Sequence, residues 1–168
     1  MPKPSLDEVL DVGDPMLNDN FDLQFTSVPG GGDGRVLRIQ CKSGVKPGMS
    51  VAQAEMELFG HKTVHAARKT FSNSMSISFH ESYDGIINTT LEDWSEMCRA
   101  TDSQSGNFKR NYTATGRMTI YDQEGSESLN YDIFNCWPTE VPDASFDGAG
   151  GTAMTVDATF AFDYYKRV

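Results

Sequence analysis

This sequence predicts a mainly β fold, an antiparallel β-sandwich or barrel with one short α-helix, and three observations carry that reading. The C-terminal run alternates, with Val156, Ala158, Phe160 and Phe162 against Thr155, Asp157, Thr159 and Asp163. That is the period of a strand with one buried and one wet face. Other short alternating runs recur along the chain, bounded by Gly and Pro clusters, which punctuate strands and turns. Only one stretch, beginning near Thr89, keeps the spacing of an apolar helix face. A chain of 168 residues fits one domain, and at this size roughly 70% of the unfolded surface is buried.

Residues 1–20 are polar, rich in Pro and without alternation, so they read as an irregular lead-in. Phe21–Phe25 alternates and reads as a first strand. The cluster Pro29-Gly30-Gly31-Gly32-Asp33-Gly34 is a turn, and Val36–Cys41 reads as the returning strand of a hairpin. Lys46-Pro47-Gly48 breaks the chain. Ala52, Ala54, Met56 and Leu58 then alternate with Gln53, Glu55 and Glu57, and Phe59-Gly60 turns into a second segment, His61–Arg68. Residues 72–79 alternate again, Met75, Ile77 and Phe79 against Ser74, Ser76 and Ser78.

The expected helix covers 89–101, with Thr89 and Glu92 at the spacing of a capping box. Leu91, Trp94, Met97 and Cys98 share one face. Residues 113–121 and 128–134 flank Asp122-Gln123-Glu124-Gly125 and read as a hairpin. Pro138 is expected to stop the strand before it. Ala144–Gly151 reads as a Gly-rich loop. Roughly seven or eight strands around one helix make a β-rich barrel or sandwich.

Charged residues make up 23% and the formal net charge is −10, with a sequence pI near 4.6. A nucleic-acid binder would show a basic stripe, whereas no basic run exceeds two residues, as at Lys109-Arg110. An acidic surface repels nucleic acid, which is itself useful where DNA must slide past without adhering. Cys41, Cys98 and Cys136 are three unspaced cysteines, read as free thiols of a reducing compartment. The start Met1-Pro2-Lys3-Pro4 has no apolar segment, so no cleaved secretion signal is expected. Sequons at Asn88 and Asn111 are therefore read as idle. No run approaches the roughly 18 apolar residues of a membrane span, and no membrane partner is expected.

The catalytic and ligand motifs are weak. Gly30–Gly34 lacks the Lys-Ser/Thr ending of a phosphate loop. His61 and His65 share a face, with His80-Glu81 nearby, but a zinc site needs three or four ligands, so exposed histidines are the better reading. No Gly-x-Ser-x-Gly elbow is present. Asp157 and Asp163 read as wet strand charges rather than a paired-acid site. No catalytic, metal or cofactor site is assigned. Trp94 and Trp137 read as core or interface anchors, together with Pro138, Phe160 and Phe162.

The order of these elements resembles the tail tube protein of contractile-tailed bacteriophages. A strand ending in Cys41-Lys42 leads to Pro47-Gly48, and an antiparallel arm runs up to Lys69-Thr70-Phe71. A strand, a helix carrying Asp93-Trp94 and a hairpin follow. The chain closes with Trp137-Pro138-Thr139-Glu140-Val141 and a strand ending in Phe162-Asp163-Tyr164-Tyr165. The resemblance covers residues 20–166, and its most specific part is the Trp-Pro-Thr module with the aromatic closing strand. The loop at 30–34 is longer than the family's pattern.

The resemblance implies a single tail-tube domain over 1–168 that forms hexameric rings, stacked helically into a tube inside a contractile sheath. It implies a long extended β-hairpin arm, at 44–71 here, that reaches the neighbouring ring, with Lys46, Pro47, Phe59, His61, Lys62 and Arg68 as contact candidates. The implied partners are further copies, the sheath, a baseplate or tube initiator, a tape measure protein, a tail terminator and phage DNA passing without sequence-specific binding. The implied place is the virion tail, assembled in the host bacterial cytoplasm. The same fold serves the tubes of type VI secretion and other contractile injection systems, which carry protein effectors. On the polar strand faces, Glu55, Glu57, Asp132, Asp157 and Asp163 are the candidates for the lumen wall.

Overall fold

The computed structural model describes residues 3, 5–11, 15–143 and 150–168. In chain order the elements are α1 Leu6–Leu10, β1 Phe21–Phe25, α2 Gly34–Ile39, β2 Cys41–Gly44, β3 Met49–Leu58, β4 His61–Phe71 and β5 Ser74–His80. Then come α3 Ile86–Cys98, α4 Lys109–Tyr112, β6 Ala114–Tyr121, β7 Glu127–Glu140, β8 Thr155–Ala161 and β9 Tyr164–Arg167. The fold is mainly β. Seven strands form one sheet in the order β1-β6-β7-β8-β5-β2, with β9 beside β7, while β3 and β4 form a separate sheet of their own. All pairings are antiparallel. Among the described residues the long sheet stays open, since β1 and β2 end its path without pairing each other.

Its core face is apolar. Leu23 and Phe25 of β1, Met75, Ile77 and Phe79 of β5, and Val156, Ala158 and Phe160 of β8 are all buried. Helix α3 covers that face with Ile87, Leu91 and Trp94, each fully buried. The Trp94 ring meets Phe25 edge-on at 5.4 Å and Phe160 at 5.7 Å. Its Nε1 donates to the Tyr112 carbonyl at 2.6 Å, so the polar tip of a buried indole is satisfied.

The first hairpin of the sequence reading is wrong. Phe21–Phe25 is a strand, but it pairs with β6, and Val36–Cys41 is mostly the helix α2. A short apolar run does not separate strand from buried helix turn. Here Asp33 decides it, its side chain accepting the Arg35 amide as an N-cap while Leu37 points into the core. The glycine cluster therefore leads into a helix. It is also not a free tip, because a Cβ on Gly32 would lie 2.4 Å from Thr90 Cγ2. Glycine lets the loop pack directly on α3.

The helix expected at 89–101 spans Ile86–Cys98. Thr89 is not its cap but bonds back from Oγ1 to the Gly85 carbonyl at 2.9 Å. The cap comes from outside the helix. Glu81 accepts the Ile87 amide at 3.1 Å and the Asn88 amide at 2.9 Å, placing a carboxylate on the first-turn donors and the positive end of the helix dipole.

In the lead-in, α1 replaces the expected irregular chain. Ser5 and Glu8 cap it reciprocally at 2.7 and 3.2 Å. Residues 1, 2, 4 and 12–14 of that lead-in, and 144–149 of the expected Gly-rich loop, lie outside the described residues.

Pro138 does not stop a strand, since β7 runs through it and pairs it with Phe160. Beyond Cys136, β7 has left β6 and keeps only β8 as a neighbour. One edge is then open, where a residue lacking an N–H is tolerated.

Two measurable consequences follow from this packing. Trp94→Ala should cost about 3–5 kcal/mol, and Glu81→Ala about 0.5–2 kcal/mol as a lost cap, both read by urea denaturation of the subunit. A Trp94→Ala subunit as stable as the parent would refute the helix–sheet contact as the centre of the core.

Candidate functional site

The most exposed element of the fold is the β3–β4 hairpin. Leu58 pairs with His61 across a two-residue turn, Phe59 and Gly60, with φ of +51° and +79°. Two positive values are those of a type I′ turn, the tight connection that suits twisted strands. Every residue of β3 and β4 except Phe71 is exposed. Among the described residues the two strands pair only with each other, which leaves both outer edges open there.

The hairpin has two unlike faces. Ala54, Met56 and Leu58 pair with His65, Thr63 and His61 on one, where the Thr63 hydroxyl lies 3.3 Å from His65 Nε2. Glu55, Glu57, Lys62 and Val64 occupy the other, with Lys62 and Glu55 in an ion pair at 2.7 Å. The register slips between Val51 and Gln53, which puts Arg68 at a bulge on β4.

Its root is clamped. Phe71 meets Tyr165 edge-on at 5.3 Å. Lys46 Nζ lies over the rings of Tyr131 and Tyr165, at 5.1 and 5.5 Å from their centroids, a cation–π contact. Of the six contact candidates, Phe59, His61, Lys62 and Arg68 are on the exposed hairpin. Pro47 is instead fully buried at the root, and Lys46 is committed to the clamp.

The lumen candidates do not share one surface. Glu55 and Glu57 are on the hairpin. Asp132 and Asp157 are on the face of the long sheet opposite the core, Asp157 among Ser76, Ser78, Thr155 and Thr159 and Asp132 beside Arg117 and Lys166. Asp157 accepts from the Ser78 hydroxyl. Asp132 is neutralised by Arg117 at 2.7 Å.

Asp163 stands where β8 breaks into β9. Lys109 Nζ lies 2.6 Å from both of its oxygens and Asn135 Nδ2 donates at 2.6 Å. The Lys109 and Asn135 hydrogen bonds hold its carboxyl below the usual aspartate range. Asp163 is thus a corner brace that sequence periodicity could not reveal, because its partners come from α4 and a β7 bulge. Of the five, Glu57 and Asp157 carry no ion pair among the described residues.

Of the anchors, Trp94, Pro138, Phe160 and Phe162 are buried. Trp137 is only half-buried, against Tyr112 at 5.8 Å.

Burial pushes the thiols of Cys41 and Cys98 up to about 11 and that of Cys136 to about 12, which keeps all three protonated and poor nucleophiles. Among the described residues no group of His, Cys, Asp and Glu side chains gathers as a metal site. No described helix is long and apolar enough to cross a membrane.

A family model for the phage tail tube protein matches residues 16–168. No curated protein matches the chain in sequence. Several solved structures share the fold. A chain of the PVC extracellular contractile injection system, from its sheath–tube complex in the extended state, is 15% identical, with 99% of each chain covered and a TM-score of 0.67. A chain from the PVC sheath/tube terminator is 15% identical over 94% of this chain and 99% of that one, with a TM-score of 0.68. A chain from the anti-feeding prophage cap is 12% identical over 93% and 92%, with a TM-score of 0.67.

The hairpin's lone pairing should make its amides at 49–70 exchange fast in the free subunit while β6 and β7 stay protected. Hydrogen exchange showing equal protection in both regions would contradict an unpartnered hairpin. For Asp163, a folded-state value below the unfolded one means its stabilisation is present above ~3.9 and lost as pH falls through the depressed value. The pair is half exposed, so screening limits the effect to under about 1 kcal/mol. Asp163→Asn should be less stable than the parent near neutral pH and indistinguishable from it in strong acid, by denaturation at both.

Proposed function

Because the chain belongs to the phage tail tube protein family, we propose that it is the inner-tube subunit of a contractile tail, whose hexameric rings stack helically and conduct DNA during ejection. The family is one of structural tube proteins, not enzymes. The observation that carries the proposal is the exposed hairpin, whose strands pair with no other strand among the described residues. A lone two-stranded ribbon is marginal in water, and assembly with further copies covers it.

In this reading the arm at 44–71 reaches the next ring. The Ser/Thr/Asp face of the long sheet, with Asp157 and Asp132, lines the lumen. Ion pairing of Asp132 to Arg117 leaves a polar wall of modest negative charge, one that DNA crosses without sticking. The partners are the sheath, a baseplate or initiator, a tape measure protein and a tail terminator, and the place is the virion tail, assembled in the host cytoplasm. Sheath–tube, terminator and baseplate assemblies supply the chains of similar fold. The second reading, a contractile injection tube carrying protein effectors, is kept because two of the chains of similar fold come from an extracellular contractile injection system.

Electron microscopy of the concentrated subunit, alone and seeded with baseplates, should show hollow tubes of uniform width. Monomers under both conditions would sink the proposal. In assembled tails, Asp157→Lys should slow DNA exit, and unchanged ejection kinetics would remove Asp157 from the lumen wall. Particles that hold protein and no DNA would select the second reading.

A further inference from the structure

We infer that α1 is a strap that closes, within its own subunit, on the cleft between α2 and the β1 edge of the long sheet. This closure belongs to the free subunit and stands whether or not the chain builds a tube.

The strap cannot stand alone. Helix α1 has five residues, far below the length at which a helix persists in water without a surface to pack on. Leu6 and Leu10 are 74% and 70% exposed. Four residues apart, they share one face of the helix. Asp7 and Asp11 keep the same spacing beside them. The segment 5–20 holds five carboxylates and no basic residue, so the strap is both amphipathic and acidic.

The cleft has the complementary chemistry. It holds about 440 Å³ and is lined by Phe21, Asp22, Arg35, Arg38, Ile39 and Tyr121. Phe21, Ile39 and Tyr121 give it apolar walls, and Ile39 is 69% exposed. Arg38 is held by Asp22 at 2.6 Å, so these two charges cancel. Arg35 is exposed and makes no ion pair among the described residues. Around it, residues 34–46 carry four basic side chains and no acidic one. Leu6 and Leu10 thus match the apolar walls, and Asp7 and Asp11 match Arg35.

Connectivity selects the subunit's own strap. Phe21, a wall of the cleft, follows Leu10 by eleven residues, a length of chain that spans at most about 36 Å. So short a tether holds α1 at an effective concentration on the order of millimolar, which another copy matches only in equally concentrated protein. Closure also meets a need of the body. Strand β1 ends the path of the long sheet among the described residues, and an open edge is blunted when a helix or loop covers it.

Pulsed hydrogen exchange of the segment 5–11, read by mass spectrometry on the dilute full chain, tests the closure. The segment should exchange about tenfold faster in Leu6→Ser/Leu10→Ser, whose changes lie outside the core, and in Arg35→Glu. Adding Asp7→Lys/Asp11→Lys to Arg35→Glu swaps the charges and should restore most of the protection. A parent segment that exchanges as fast as either variant would overturn the inference. So would a swap that restores nothing, because the loss would then come from α2 itself. Protection that grows with protein concentration would also overturn it, since α1 would then be closing on another copy.

Discussion

The subunit is organised by the contact of Trp94 with Phe25 and Phe160. Three distant parts of the chain meet there, the first strand, the main helix and the penultimate strand. Aromatic groups of this size supply the largest apolar burial per residue, and here they fix which face of the sheet is the core. Once that face is chosen, alternation sends Asp132, Asp157 and the serines of β5 to the other side. The division of the sheet into an apolar and a Ser/Thr/Asp face is a consequence of where one indole packs.

A single face would not be possible along β7 and the closing strand without two phase changes. Asn135, at φ +59°, is a bulge on β7. Ile133 and Cys136 are both buried across it, where strict alternation would turn one outward. The second change falls at 162–163, so Phe162 and Tyr165 are both buried. Asn73 Nδ2 donates to the Phe162 and Asp163 carbonyls at 2.9 Å, while Asn135 and Lys109 hold the Asp163 carboxylate. Asparagine tolerates the left-handed backbone that these corners need. The brace lets β7 serve β6, β8 and β9 in turn.

This explains what was legible in the sequence. Strands β5 and β8 were readable because each has one face on the core and one in water, so their composition alternates. The two hairpin strands were readable too, with a sharp turn at Phe59-Gly60. The partner of β1 was not, because pairing Phe21–Phe25 with Gly116–Ile120 is a long-range choice that local pattern does not encode. Nor was α2, where one buried leucine and an Asp cap outweigh apparent alternation. The cap of α3 was misplaced because Glu81 acts from beyond the helix, whereas capping rules look inside it. Asp163 looked like one more wet strand charge until its partners were brought to it by folding.

The body and the hairpin therefore obey different constraints. The body buries its apolar face, fills its helix end with Glu81 and meets its corner charges with Lys109 and Asn135. The hairpin meets almost none of its own needs. Its edges are open, its aromatic tip is in water, and only its root is held, by Phe71 on Tyr165 and Lys46 over two rings. A firmly anchored root with an unsatisfied tip is costly in a protein that works alone, since an open edge invites pairing with anything extended. It becomes economical when the same edge is covered in every copy but the last. The residues that hold the body together and those that the hairpin leaves exposed are therefore separate sets.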